Sequence, residues 1–300
     1  MFKLHEFLYK MFVMSNLTII FFVVSILSTL ISLSIPILMR DGFTIILKTS
    51  WNPVKEDYGI LPAIVGTIIS ASTALVLALV LSISTSVLIV EVLPKRLRSL
   101  FEALVDLAAA IPSVIYGLWG LYVLSPFLKE FIMDRIVELG LGGIFGYPRG
   151  LGTSLFSASI LLSIMVTPFA ASIIRTGLRG IPIYMKEALV SLALTKWEVI
   201  VMELKYVRRT IFTALAVAYG RAVGETAAVA MVIGNTLTPD FFKIFNPGYT
   251  ISSLIADQYL NAEAYTYMVS ALFSAGLLLF ILSLVINVLV MIYGEKRWRG

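Results

Sequence analysis

Six apolar runs, each about 20 residues or longer, constrain this chain more than any other feature: about Leu17 to Met39, Leu61 to Val90, Leu104 to Leu128, Leu151 to Ile174, Thr210 to Ile233 and Tyr265 to Tyr293. A helix rises 1.5 Å per residue, so about 20 apolar residues cover the roughly 30 Å of hydrocarbon in a bilayer. Only 14% of the 300 residues are charged and 59% are hydrophobic, whereas soluble domains carry about a quarter charged residues. One water-soluble core cannot absorb that surplus. The expected fold is an all-α membrane protein with about six transmembrane helices.

The first run follows Lys3 and Lys10, as a secretory signal would. It is longer than the roughly 7 to 15 residues of a signal core and no small-residue cleavage pattern follows, so a retained anchor is expected. Six spans put both termini on one side. With the termini inside, Lys3, Lys10, Lys95, Arg96, Arg98, Arg175, Arg179, Lys186, Lys196, Lys205, Arg208, Arg209, Lys296, Arg297 and Arg299 are inside, against Arg40, Lys48, Lys55, Lys129, Arg135, Arg149 and Lys243 outside. The positive-inside rule then predicts cytoplasmic termini.

The net charge of +5 does not indicate a nucleic-acid partner, because the basic residues are scattered among short loops without a stripe or interleaved aromatics. The chain has no cysteine, and its one histidine is His5. Thiolate metal sites, thiol nucleophiles and His-based triads are thereby excluded. No Gly-Lys pair occurs, so the chain has no Walker A phosphate loop. A non-catalytic membrane subunit is expected, with no cofactor or metal of its own.

Two full charges, Arg221 and Glu225, stand within Gly220-Arg221-Ala222-Val223-Gly224-Glu225-Thr226 in the middle of the fifth run. A charge at mid-bilayer costs about 2.5 to 3.5 kcal/mol on insertion scales and needs a partner or water. At i, i+4 the two would share a helix face and pair, while Gly220 and Gly224 on a neighbouring face would admit another helix. This face either lines a translocation path, with Arg221 as a forked donor to an anion, or is a structural ion pair locking helices together. Asp106 is a third candidate, as an alternative partner of Arg221 or as a carboxylate in interfacial water. Pro112 and Ser113, within Ala110-Ile111-Pro112-Ser113-Val114-Ile115-Tyr116-Gly117, predict a bend in the third run that would suit a gate or a kinked packing helix.

Between Arg175 and Arg209, Ile181-Pro182 opens a helix in which Leu189, Leu192, Ala193, Trp197, Ile200 and Leu204 recur at helical spacing among charges. One or two amphipathic helices are expected, lying on the headgroups or docking a partner.

Three separated stretches, Trp51-Asn52-Pro53 with Tyr58-Gly59-Ile60-Leu61-Pro62, then Ala109 to Gly120, then Gly220 to Thr226 with Ile233-Gly234-Asn235, occur in the order found in the PstC family of phosphate ABC-transporter permeases, and the whole chain resembles that family. The resemblance implies a type I importer permease (MetI-like) fold and the following division. Residues 1–60 are leader, first span and outer loop; 61–293 are the permease core, with coupling helices at about 182–205; 294–300 are a basic tail. It implies a heterodimer with a sister permease (PstA-like), two ATPase subunits (PstB-like) that bind ATP and Mg, and an extracytoplasmic phosphate-binding protein (PstS-like). The ATPase-coupling motif then falls on Glu187, Ala188, Leu189, Leu192, Ala193 and Trp197. It departs from the family pattern at Leu189, where a second alanine is usual, at Ala193, where a glycine marks the turn, and at Leu204-Lys205, where Leu-Pro is common. The resemblance also places Arg221 and Glu225 on the pathway.

Overall fold

The computed structural model describes residues 2–237 and 240–295; Lys296, Arg297 and Arg299 of the expected basic tail lie outside them. Helix α1 (Phe2–Asp41) runs through a single 3-10 turn into a small hairpin. The hairpin strands, β1 (Trp51–Asn52) and β2 (Asp57–Tyr58), are antiparallel, with Trp51 opposite Tyr58. Helix α2 (Leu61–Val87) follows and ends in a π-turn, Leu88–Val92. Its buried residues Gly66, Ser70, Ala74, Ala78, Ser82 and Ser86 recur at every fourth position, a stripe of small side chains that lets a neighbouring backbone come close. That neighbour is α8 (Leu155–Arg179). Near one end of the seam the Ser86 hydroxyl donates to the Ala171 carbonyl at 3.0 Å.

Between these two helices the chain turns sharply. α3 (Lys95–Ala110) and the helical stretch Ser113–Phe145 are bent by 92° at Ile111-Pro112. The stretch comprises α4 (Ser113–Trp119), α5 (Ser125–Leu128), α6 (Asp134–Ile136) and α7 (Gly142–Phe145), joined by π-turns. The expected third span, from Leu104, is therefore not one continuous helix but a pair broken at Ile111-Pro112. A residue before proline is pushed out of the α region, and Ile111 is extended, with φ −64 and ψ 128. Pro112 also has no N–H to offer the Ala108 carbonyl one turn back. The Tyr116 hydroxyl takes that place, donating to Ala108 O at 2.8 Å.

After α8 come α9 (Ile183–Ser191) and α10 (Lys196–Tyr206), then α11 (Arg208–Gly224), α12 (Ala227–Val232), α13 (Ile251–Gln258) and α14 (Met268–Glu295). Among the described residues four helical segments are each long and apolar enough to cross a bilayer: Met11–Ile46, Leu61–Val92, Leu155–Arg179 and Met268–Val288. The other two of the six runs are interrupted, one at Pro112 and one at Glu225-Thr226. One apolar core joins α2, α8, α11 and α12, with α4 against it; a second lies where α1, α13, α14 and the hairpin meet. Most of α1 is exposed apolar side chain, the surface a lipid-facing helix presents.

Candidate functional site

The fifth run does not carry Arg221 and Glu225 on one continuous helix face. α11 stops at Gly224, and Glu225 is extended, with φ −69 and ψ 128. Its carboxylate turns forward to accept the Ala228 N–H at 3.4 Å, as a cap of α12, and the Ser252 hydroxyl donates to its carbonyl at 2.8 Å. The expected Arg221–Glu225 ion pair is thus replaced by a helix break clamped from α13. The sequence held a sign of this, since Gly-Glu-Thr reads as a helix stop followed by a start.

Arg221 is exposed, and its guanidinium carbon lies 3.9 Å from the centre of the Phe169 ring on α8. No carboxylate pairs with it among the described residues. Gly220 and Gly224 do not admit a helix of this chain. A Cβ on Gly224 would meet nothing within 4 Å, and one on Gly220 only Asn287, at 3.9 Å. The close approaches are made by other glycines: Gly66 on α2, and Gly117 and Gly120 on the α4 stretch against α12 and α8.

Asp106 is not a partner of Arg221 either. Its carboxylate accepts from Arg175 Nη2 of α8 at 2.6 Å, and one turn away Arg179 pairs with Glu102. Two ion pairs thus zip α3 to α8 beside the bend, with Pro112 exposed and Ser113 half-buried at its corner. Arg175 is 6% exposed and Asp106 62%, so the loss of Asp106 strands a buried cation while the loss of Arg175 does not strand a buried anion. Asp106→Ala is expected to cost about 2 kcal/mol, in the range for a buried charged group losing its partner. Heat unfolding of the purified chain should show a clear drop for that variant and a smaller one for Glu102→Ala.

Just beyond this same end of α8, α9 and α10 form an elbow. Glu187, Ala188, Leu192, Ala193 and Trp197 are exposed on it and Leu189 is half-buried; Leu192 and Trp197 are 70% and 67% exposed. Ala193 stands at φ +55, the left-handed region in which the family pattern has glycine. The elbow geometry survives the departure, at the cost of strain in an alanine backbone. α10 then starts on a capping box, Thr195 and Glu198 bonding each other's backbone. Ala193→Gly is expected to relieve the strain and raise stability by about 1 kcal/mol, measurable as a higher melting temperature.

Behind the elbow is a cluster that no spacing in the sequence brings together. Lys186 of α9 lies 2.8 Å from Glu91, in the π-turn that ends α2, and 2.9 Å from Glu203 of α10. Burial pushes the Glu203 carboxyl up from the usual glutamate range. Burial also acts on the Lys186 ammonium, to lower it, but its hydrogen bonds to the two carboxylates and their charge together carry it above the usual lysine range.

With this geometry established, comparison with known proteins places the chain. Residues 88–298 match the family described as binding-protein-dependent transport system inner membrane component. A Methanocaldococcus jannaschii protein named probable phosphate transport system permease protein PstC is 44% identical over 271 residues, covering 89% of this chain and 85% of its own length. Proteins named phosphate transport system permease protein PstC from Mesorhizobium japonicum and Xylella fastidiosa strain Temecula1 are 38% and 40% identical, covering 82% and 84% of this chain and 76% and 78% of their own. The matched region takes in the bend at Pro112, the Arg221–Glu225 break and the α9–α10 elbow, and on that evidence this multi-pass membrane chain belongs to the family of binding-protein-dependent transport system inner membrane components.

Proposed function

We propose that this chain is a permease subunit of an ATP-driven importer of inorganic phosphate, paired with a sister permease and served by two ATPase subunits and an extracytoplasmic phosphate-binding protein. The reading is carried by similarity over most of the chain to proteins named as phosphate permeases. ATP and Mg would be bound by the ATPase subunits. Both termini would lie in the cytoplasm, which puts the α9–α10 elbow on the side of the ATPases, and its exposed Leu192 and Trp197 supply an apolar docking surface. The open face with Arg221 and Gly224 would look across the pathway toward the sister permease.

The work of such a subunit is gating. Movement of the docked elbow would rock the α2–α8–α11 core between outward-open and inward-open arrangements, with the bend at Pro112 and Ser113 as one place where the core yields. The test is uptake of radiolabelled phosphate into proteoliposomes holding all four kinds of subunit, with sulfate and molybdate as competitors. Uptake that requires ATP and yields only to unlabelled phosphate is the expected result. Displacement by another oxyanion would change the substrate and keep the architecture; uptake surviving ATP depletion while an ion gradient persists would overturn the ATP-driven reading.

A further inference from the structure

The cluster of Glu91, Lys186 and Glu203 is out of place as packing. The inward side of α10 and its C-cap is Ile200, Glu203 and Val207, at 4%, 1% and 4% exposure, so a carboxylate sits where the helix pattern calls for another aliphatic side chain. Replacing buried ionic groups by apolar ones of similar size is often neutral or stabilising. Stability therefore gives no reason for a glutamate here. The arrangement has a mechanical consequence instead. Among the described residues Lys186 is the one side chain paired with both carboxylates, and its three donors can hold them at once. Glu91 belongs to neither docking helix. It lies in the π-turn that directly continues α2, so a contact to it is a contact to the end of that helix. The Lys186–Glu203 pair is 2.9 Å long without hydrogen-bond alignment, while Lys186 donates a true hydrogen bond to Glu91 at 2.8 Å.

We propose that Glu91, Lys186 and Glu203 are positioning residues for transport, an electrostatic clasp through which displacement of the α9–α10 elbow is transmitted to α2. The proposal rests on the permease reading above. α2 is the helix to hold: its small-residue stripe runs the length of α8, and Gly66 near its opposite end carries the segment that follows α12. A pull at the π-turn therefore reaches the whole seam. The outer surface of the elbow, with Leu192 and Trp197, takes the push from the ATPase, and the clasp on its inner surface passes it on.

The experiment compares phosphate carried per ATP hydrolysed in the full reconstituted complex. The triple variant Glu91→Leu, Lys186→Met, Glu203→Leu removes all three charges together and keeps the volume, so the complex is expected to assemble and hydrolyse ATP. Its transport per ATP should fall about tenfold, within the range that coupling between sites covers, whereas Lys186→Arg should keep the wild-type ratio. A triple variant within twofold of the wild-type ratio would overturn the proposal and leave the cluster as packing. Should that variant be absent from the membrane, Glu91→Gln with Glu203→Gln, which removes both carboxylate charges and keeps their shape, decides the matter. Transport per ATP reduced about tenfold supports the clasp, and a ratio within twofold of wild type refutes it. A wild-type complex that moves no anion with ATP would instead overturn the permease reading, so the two failures are distinct.

Discussion

Replacing Gly66 by alanine should remove about 3 kcal/mol of stability and most of the folded protein from the membrane, a large share of the roughly 5 to 15 kcal/mol that holds a typical fold together. A Cβ at this position would fall well inside contact distance of the Tyr249 carbonyl oxygen, 3.1 Å from its carbon and 3.2 Å from Leu155. Backbone cannot swing aside as a side chain does, and the segment around Tyr249 is held from every direction. The Gly248 N–H donates to Ile233 at 3.0 Å, Leu155 and Phe156 of α8 donate to Asn246 and Ile244, and the Phe245 N–H donates to Phe145. On α2 itself the Thr67 hydroxyl oxygen accepts the Ile251 N–H at 2.9 Å. Phe245 adds ring contacts with Phe145 and Phe156. The segment from Ile244 to Ile251 thus ties α2, α7, α8 and α12 together, and one methyl group at Gly66 displaces it. Gly143→Ala is the control, since a Cβ there would meet nothing within 4 Å. The yield of folded chain in detergent, and its melting temperature, should fall steeply for the first variant and stay level for the second.

The contrast between what the chain announces and what it conceals follows the range of the forces involved. Four of the six span positions were legible because each rests on a local run of apolar residues, and the elbow was legible because Ile181-Pro182 marks a helix start. Pro112 was readable for the same reason, as its effect on Ile111 and Ala108 is made within one turn. The pairings were not. Arg175 finds Asp106 across 69 residues and Lys186 finds Glu91 across 95, and no periodicity links them. Arg221 and Glu225 failed in the opposite direction. Their i, i+4 spacing implies a pair only if the helix continues, and the break at Glu225 is held from a distant residue, Ser252. Ala193 adds a third kind of case: a residue that resists positive φ is nevertheless held there, because the packed helices on either side and the Thr195–Glu198 capping box fix the turn.

That break changes how Arg221 should work, and the expected result is a loss of phosphate uptake of more than about tenfold in Arg221→Gln at normal abundance. The guanidinium carbon lies over the Phe169 ring, 3.9 Å from its centre, a cation–π contact that occupies none of its N–H donors. No carboxylate among the described residues takes them, so the fork is available to a planar or tetrahedral oxyanion. Had Glu225 paired with Arg221, each passing anion would first have had to displace a carboxylate. With Glu225 occupied as the cap of α12, no such competition arises. The ring restrains the fork without satisfying it, which suits a path that must release what it binds. Arg221→Lys then becomes the informative comparison. It keeps the charge and loses the fork, so uptake between the Gln variant and wild type is expected, with ATP hydrolysis changed less than transport. Phe169→Leu should weaken uptake in the same sense by freeing the guanidinium, although it removes no charge. Full ATP-coupled uptake in Arg221→Gln would show that the anion passes without using this residue, and the open face beside Gly224 would then have to be assigned to contact with the sister permease alone.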